Sequence, residues 1–248
     1  MWHVPLQHIV AATITFVLST CPPLCGSLSP MQTDLLKPEE FDAHVKNGTC
    51  RISFIGMSNC GKSYRSKALR DELGFLWYQV DEAIQKALGL ASMADISKWL
   101  GYPTSPTYQE REQVYLTLEN QYTKEAAMKT NGKNFVFDTT GSVVHLAPET
   151  LEVLDENTLI VHLEVSAAKK ERMLEKFFKE PKPVAWCDFF SIRAGESAED
   201  ALRRCYPTLL EERLARYRAI AHVNIPLEEV FDATGTETLA AIRRHLSA

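Results

Sequence analysis

The octapeptide Gly56-Met57-Ser58-Asn59-Cys60-Gly61-Lys62-Ser63 fits G-x-x-x-x-G-K-[ST] at every fixed position. It constrains the fold more than any other feature of the chain. It follows an apolar run, Arg51–Ile55 (RISFI), that reads as a buried strand, and it opens a helix predicted over 62–73. Glycines let such a loop turn tightly, so that successive backbone N–H groups face inward at phosphate oxygens. A helix starting at the same point adds the positive end of its dipole. Gly56, Ser58, Asn59, Cys60, Gly61, Lys62 and Ser63 are therefore the candidate nucleotide-binding residues. Lys62 supplies a point charge for the β- and γ-phosphates, and the Ser63 hydroxyl can ligate Mg²⁺. ATP and Mg²⁺ are the implied cofactors.

The rest of the chain alternates strand and helix patterns. Strands are expected at 75–80, 134–137, 158–165 and 229–232. Helices are expected at 82–88, 94–100, 108–129, 166–178 and 208–221. On the long helix 108–129, Val114, Leu118 and Tyr122 share one face. Pro38 starts a short helix over 37–46, and Thr234 with Glu237 has capping-box spacing for a last helix. This alternation predicts an α/β fold: a five-stranded parallel sheet with helices on both faces, of the phosphate-loop NTPase type. The stretch 179–197 contains Pro181, Pro183, Gly195 and clustered aromatics, and reads as a mobile lid.

Charge divides the chain. It has 248 residues, 27 Lys and Arg, 32 Asp and Glu, and a formal net charge of −5. No basic cluster stands out, which argues against nucleic acid as the main partner. Residues 1–33 contain no Asp, Glu, Lys or Arg. Their apolar run, 9–18, is too short to cross a bilayer as a standard helix. It has the length of a signal-peptide core but lacks a basic segment before it and a clear cleavage site after it. The expected organisation is an extension over 1–33, a bland tail or a targeting segment, and a catalytic domain over 48–248. An ATP-consuming domain points to the cytoplasm, with an organellar or secretory location as the alternative if 1–33 is a targeting segment. The sequence leaves oligomeric state open and is compatible with a monomer. Six cysteines (Cys21, Cys25, Cys50, Cys60, Cys187 and Cys205) lack metal-ligand spacing and read as thiols rather than a disulfide framework.

Chemistry-bearing residues outside the loop fall at strand ends and on one helix. Ligands in open parallel sheets sit beyond the carboxyl ends of the strands. Asp81, expected at the end of the second strand, is placed to orient or deprotonate an acceptor hydroxyl, or else to cap the next helix. Asp138, at the end of the third, is a second Mg²⁺ partner beside Ser63, or an ordinary turn residue. The following Thr139-Thr140-Gly141 is a small polar turn that lets a substrate approach the backbone. Arg213, Arg216 and Arg218 form either a solvated helix face or a carboxylate clamp. Lys179, Lys182 and Arg193 are the lid cations that could close over a transferring phosphate.

From about Arg51 onward the pattern resembles the shikimate kinase family of small phosphate-loop kinases. Val80-Asp81-Glu82-Ala83-Ile84 is similar to that family's substrate-binding aspartate and helix start. Arg213 to Ala221 (RLARYRAIA) resembles its R-x-x-x-Y-x-x-x-A helix. The resemblance implies ATP-dependent phosphorylation of a carboxylated polyol, with Arg213 gripping the carboxylate. It places Thr140 and Gly141 in a substrate-binding turn and Lys182 where the family has a lid arginine. It implies a second substrate arginine on the long helix, for which Arg111 is the candidate. Departures cluster at the acceptor: Gln79 where the family has an aspartate, Thr139 and Thr140 in a glycine-rich turn, and Lys182 in the lid. They leave open another sugar acid such as gluconate as acceptor. A nucleotide-binding regulator without transferase activity is the reading from a different class.

Overall fold

A computed structural model describes residues 36–129, 132–179 and 183–246. The 1–33 segment and Lys182 lie outside the described residues. Among those described, five parallel strands form one sheet: β1 (Arg51–Ile55), β2 (Leu76–Gln79), β3 (Phe135–Asp138), β4 (Leu159–Glu164) and β5 (Val223–Pro226), ordered β2-β3-β1-β4-β5. Ile52, Phe54, Val136, Phe137 and Val161 are buried. Strands covered on both faces read as apolar runs, which is why β1, β3 and β4 were visible in the sequence.

Because every strand runs the same way, their carboxyl ends share one edge. Register fixes the details: Phe54 of β1 and Gln79 of β2 both lie opposite Asp138 of β3. α1 (Pro38–Asn47) precedes β1, the loop after β1 leads into α2 (Lys62–Leu73), and β2 leads directly into α3 (Val80–Ala87). α4 (Met93–Leu100) follows, and Ser92 caps it by accepting the Asp95 N–H. The long α5 is Tyr108–Met128.

Two strand expectations need correction. The second strand ends at Gln79, so Asp81 lies in the first turn of α3 rather than at a strand end. The last strand is not 229–232. Val223 and Ile225 bury alternate side chains and β5 pairs with β4, while Leu227 and Val230 turn the next residues into α9 (Leu227–Val230). On α5, Leu118 and Tyr122 are partly buried against the core, whereas Val114 is 42% exposed. The buried stripe is Tyr108, Glu112, Tyr115, Glu119 and Thr123, spaced three and four apart. It carries polar groups because this helix backs onto the site.

After α6 (Pro148–Asn157) and α7 (Ala167–Lys179), part of the stretch expected as a lid, residues 183–189, packs against the rest of the chain. Val184, Ala185 and Trp186 are buried, and the Trp186 and Tyr206 rings lie 5.6 Å apart. The clustered aromatics mark core here. α8 (Ala198–Ile220) then starts ten residues earlier than expected, capped by Ser197.

α10 (Gly235–His245) opens with the expected Thr234–Glu237 capping box and packs on α2. A Cβ at Gly235 would sit 2.9 Å from the Ala68 carbonyl oxygen. Gly235→Ala should therefore destabilise the chain by about 1–3 kcal/mol, because backbone rather than a flexible side chain must give way. Urea unfolding measures this, and an unchanged midpoint would contradict the packing.

Candidate active site

The phosphate loop has the conformation its glycines predict. Gly56 has φ 137° and Gly61, which precedes α2, has φ 91°. A Cβ on Gly56 would meet Cys60 Sγ at 3.0 Å and the Leu163 carbonyl oxygen at 3.1 Å. Asn59 adopts φ 65°, a left-handed conformation that asparagine tolerates better than most residues. Lys62 is buried, and its Nζ donates to the carbonyls of Gly56 (2.8 Å) and Met57 (3.1 Å). The ammonium is thus held over the loop's own backbone. Cys60 is packed beneath the loop, and burial pushes its thiol up from the ordinary range, so it is a packing residue.

Ser63 and Asp138 meet as expected. Ser63 Oγ donates to Asp138 Oδ2 at 2.5 Å. The other carboxylate oxygen accepts from Trp77 Nε1 at 2.5 Å. Burial raises the Asp138 carboxyl, although these hydrogen bonds and Lys62 favour its charged form. Trp77 was not legible as a site residue. Only the β2–β3 register carries its indole to Asp138. A carboxylate beside a hydroxyl on the first turn of a helix is an all-oxygen donor set suited to Mg²⁺.

Beyond the loop lies a pocket of about 360 Å³, lined by Lys62, Asp81, Tyr115, Gly141, Ser142 and Arg213 among others. Arg213 is only 4% exposed. Its Nη2 donates to the Ala185 carbonyl at 2.5 Å, while its buried Nε has no hydrogen-bond partner. Asp81 accepts from Tyr115 Oη at 3.5 Å. A Cβ on Gly141 would come within 3.0 Å of Ser58 Oγ and 3.8 Å of Arg213 Nη1. Glycine is therefore what lets this turn approach both the phosphate loop and the guanidinium.

Thr140 and Arg111 differ from expectation. Thr140 does not line the pocket. Its hydroxyl donates to Glu119 Oε1, while Ser142 Oγ donates to Glu119 Oε2 at 2.6 Å. Arg111 does not reach the pocket either. Its guanidinium donates to the Trp99 carbonyl and lies 5.9 Å from that indole, tying α5 to α4. Arg216 and Arg218 pair with Glu212 and Glu164.

Two glutamates missed by the sequence reading support the pocket. Glu112 Oε1 accepts from the backbone N–H groups of Trp186 (2.5 Å) and Cys187 (2.9 Å) and from Tyr108 Oη (2.5 Å). It thereby fixes the segment whose Ala185 carbonyl receives Arg213. Glu119 is fully buried, and its carboxyl is raised to about 7, first by burial and also by Asp81, against the hydroxyl bonds and Arg213. Their spacing on α5 was a signal: a polar stripe at helical period inside a long helix.

A second cavity of about 1070 Å³ adjoins the loop at Asn59 and is lined by Lys169, Met173, Phe231 and Ala233 among others. Lys169 Nζ lies 4.1 Å from the centre of the Phe231 ring. Arg65, buried on α2, donates to the carbonyls of Phe231 and Ala233 and so holds this wall.

A parallel sheet with this loop and an enclosed second pocket beside Lys62 defines the class: a phosphate-loop kinase of small molecules. The sequence profile of the shikimate kinase family matches residues 58–188, and the chain belongs to that family. Its members take ATP as substrate. A shikimate kinase from Dehalococcoides mccartyi is 25% identical over 181 residues, covering 73% of this chain and 84% of that protein. The structure of shikimate kinase from Acinetobacter baumannii in complex with shikimate is similar at a TM-score of 0.53 and 20% identity, over 80% of this chain and 92% of that one. Shikimate kinase from Bacteroides thetaiotaomicron is similar at 0.52 and 17% identity, over 79% and 95%. These likenesses carry the fold. Among the described residues no helix is long and apolar enough to cross a membrane.

Two substitutions separate the roles of the turn and of α5. Gly141→Ala should raise the acceptor KM about tenfold or more while leaving the ATP KM within about twofold, because the added methyl crowds Ser58 and Arg213. Arg111→Ala should leave the acceptor KM unchanged and cost about 1 kcal/mol of stability through the lost α4–α5 contacts. Steady-state kinetics and urea unfolding check both.

Proposed function

We propose that this kinase transfers the γ-phosphoryl group of ATP to a hydroxyl of a small carboxylated polyol, shikimate or a close structural analogue. The observation that carries this reading is Arg213. A guanidinium buried to 4% exposure, with a buried Nε that lacks a partner, lines the same pocket as Lys62 and Asp81. A planar guanidinium matches a carboxylate, and burial excludes the water that would otherwise compete.

The residues divide the work. The backbone N–H groups of 56–63 and Lys62 bind the phosphates, with Lys62 exchanging its loop carbonyls for phosphate oxygens. Ser63 and Asp138 hold Mg²⁺, which when bound neutralises charge on the phosphates. Asp81 orients the acceptor hydroxyl and receives its proton. Arg213 fixes the other end of the acceptor, with Ser142 and the Gly141 backbone as its wall. Lys182 precedes Pro183, which lines the pocket, and is the cation assigned to close over the phosphates. The nucleoside extends past Asn59 into the cavity at Phe231, where an aromatic face and Met173 suit a base. The cytoplasm is the compartment proposed for this activity.

A second reading keeps the reaction and replaces the acceptor by an open-chain sugar acid such as gluconate. What favours it is that α5 contributes no arginine to the pocket, so a single guanidinium faces the acceptor. A coupled assay with ATP, Mg²⁺ and either shikimate, gluconate or an uncharged polyol decides between them. Turnover on shikimate supports the first reading, turnover on gluconate alone supports the second, and preference for the uncharged polyol contradicts both. Lys62→Ala should lower kcat by about 10²-fold or more with whichever acceptor is used, since its charge acts on the transferring group.

A further inference from the structure

The acceptor side of the pocket holds more negative charge than a carboxylate clamp needs. Asp81 lines it, and Glu119 stands behind its wall, close enough to interact electrostatically with both Asp81 and Arg213. An incoming carboxylate would bring a third negative charge to one buried guanidinium. Buried charges of one sign are costly unless one of them is neutralised.

The contacts of Glu119 allow that neutralisation. Both of its oxygens meet hydroxyls, Thr140 Oγ1 and Ser142 Oγ, rather than N–H groups or a cation. A hydroxyl can donate to a carboxylate or accept from a carboxylic acid, so this pair satisfies either protonation state. The two hydroxyls also lie 3.1 Å apart, and Thr140 Oγ1 accepts the Ser142 backbone N–H. Ser142 lines the pocket as well. A proton on Oε2, the oxygen this hydroxyl meets, would turn Ser142 from donor to acceptor toward Glu119.

We propose that Glu119 takes up one proton from solvent when an acceptor carboxylate pairs with Arg213, and that this uptake frees the Ser142 hydroxyl to donate to the acceptor. The inference rests on the reading of Arg213 as a carboxylate clamp. The proton adds to Glu119 Oε2, the oxygen facing Ser142; no other covalent bond forms or breaks, and the Ser142 O–H···Oε2 hydrogen bond is replaced by one from the Oε2 acid to Ser142 Oγ. Other ionisable groups face Glu119 from the surrounding elements. They are Tyr115 on its own helix, Asp81 on α3, Arg213 and Tyr217 on α8, and Cys187 in the segment before α8. Burial raises the Tyr115 and Tyr217 phenols and lifts the Cys187 thiol to about 11, so these stay neutral near pH 7. α4 meets α5 through Arg111, about two turns away, and α6 meets it through Asn120 and the Ala147 N–H. Glu119, raised to about 7, is the group poised to change state at neutral pH.

Calorimetric titration of shikimate and of gluconate into the full chain, in buffers of different ionisation heat, measures the protons taken up. At about pH 7.5 the wild type should take up between about half and about three quarters of a proton per acceptor bound, and Glu119→Gln none. Above that pH the wild-type acceptor Kd should weaken up to about tenfold per pH unit, while the Glu119→Gln Kd stays flat. Equal uptake by both proteins, or binding to the wild type without uptake, overturns the proposal. Infrared spectroscopy tests Glu119 separately from the choice of acceptor, with acetate as the minimal carboxylate. The carbonyl stretch of a neutral carboxylic acid should grow when acetate is added to the wild type and be missing from Glu119→Gln. A band that does not respond to acetate overturns the proposal. A responding band, with no binding of either acid, keeps the proton coupling and overturns the polyol reading alone.

Discussion

A guanidinium withdrawn from water costs several kcal/mol unless the protein replaces its lost hydration. Much of the acceptor side of this molecule serves that requirement for Arg213. The Ala185 carbonyl takes one N–H, and Glu112 holds that carbonyl in place by binding the next two backbone N–H groups. Tyr217, one turn along α8, donates to the Gly141 carbonyl and so positions the turn beside the guanidinium. Glu119, when ionised, supplies opposing charge. His145, half-buried, is pushed down to about 3 by burial and by the charges of Arg213 and Arg216 and stays neutral, so it adds no positive charge. The buried Arg213 Nε remains without a hydrogen-bond partner.

The two halves of the site depend on different kinds of order. The phosphate side is local: eight consecutive residues, a glycine at each bend, and a helix that starts where the loop ends. Its distant partner Asp138 is delivered by the parallel register of β1 and β3. The acceptor side is assembled from α3, α5, the turn after β3, the segment before α8, and α8 itself. A change in any of these reshapes the acceptor pocket without touching the loop, which fits the concentration of departures from the family pattern there.

That difference explains what could be read from the sequence. The loop, Ser63, Asp138 and the sheet class were legible because spacing and apolar runs encode them directly. Arg213 was ambiguous from pattern alone, since three arginines within six residues usually mark a solvated face; resemblance singled it out, and it is buried where Arg216 and Arg218 are exposed. Arg111 was misassigned because it was the arginine on the long helix, and the Trp99 carbonyl claims it instead. Glu112 and Glu119 were passed over because an apolar-face search on α5 selects Val114, Leu118 and Tyr122, whereas the side facing the site is polar. The segment 183–189 read as loop because of Pro181, Pro183 and the later Gly195, whereas the burial of Val184, Ala185 and Trp186 and the Glu112 anchor depend on tertiary contacts that spacing does not encode.

The central claim is that Arg213 recognises a negative charge on the acceptor. The most direct measurement compares kcat/KM for shikimate with that for its uncharged carboxamide, in the wild type and in Arg213→Ala. The account predicts that the wild type prefers the acid by about 10²-fold or more, a few kcal/mol for a buried charge-assisted pair, and that the preference collapses in the variant. An acid preference of the same size in both proteins would contradict it.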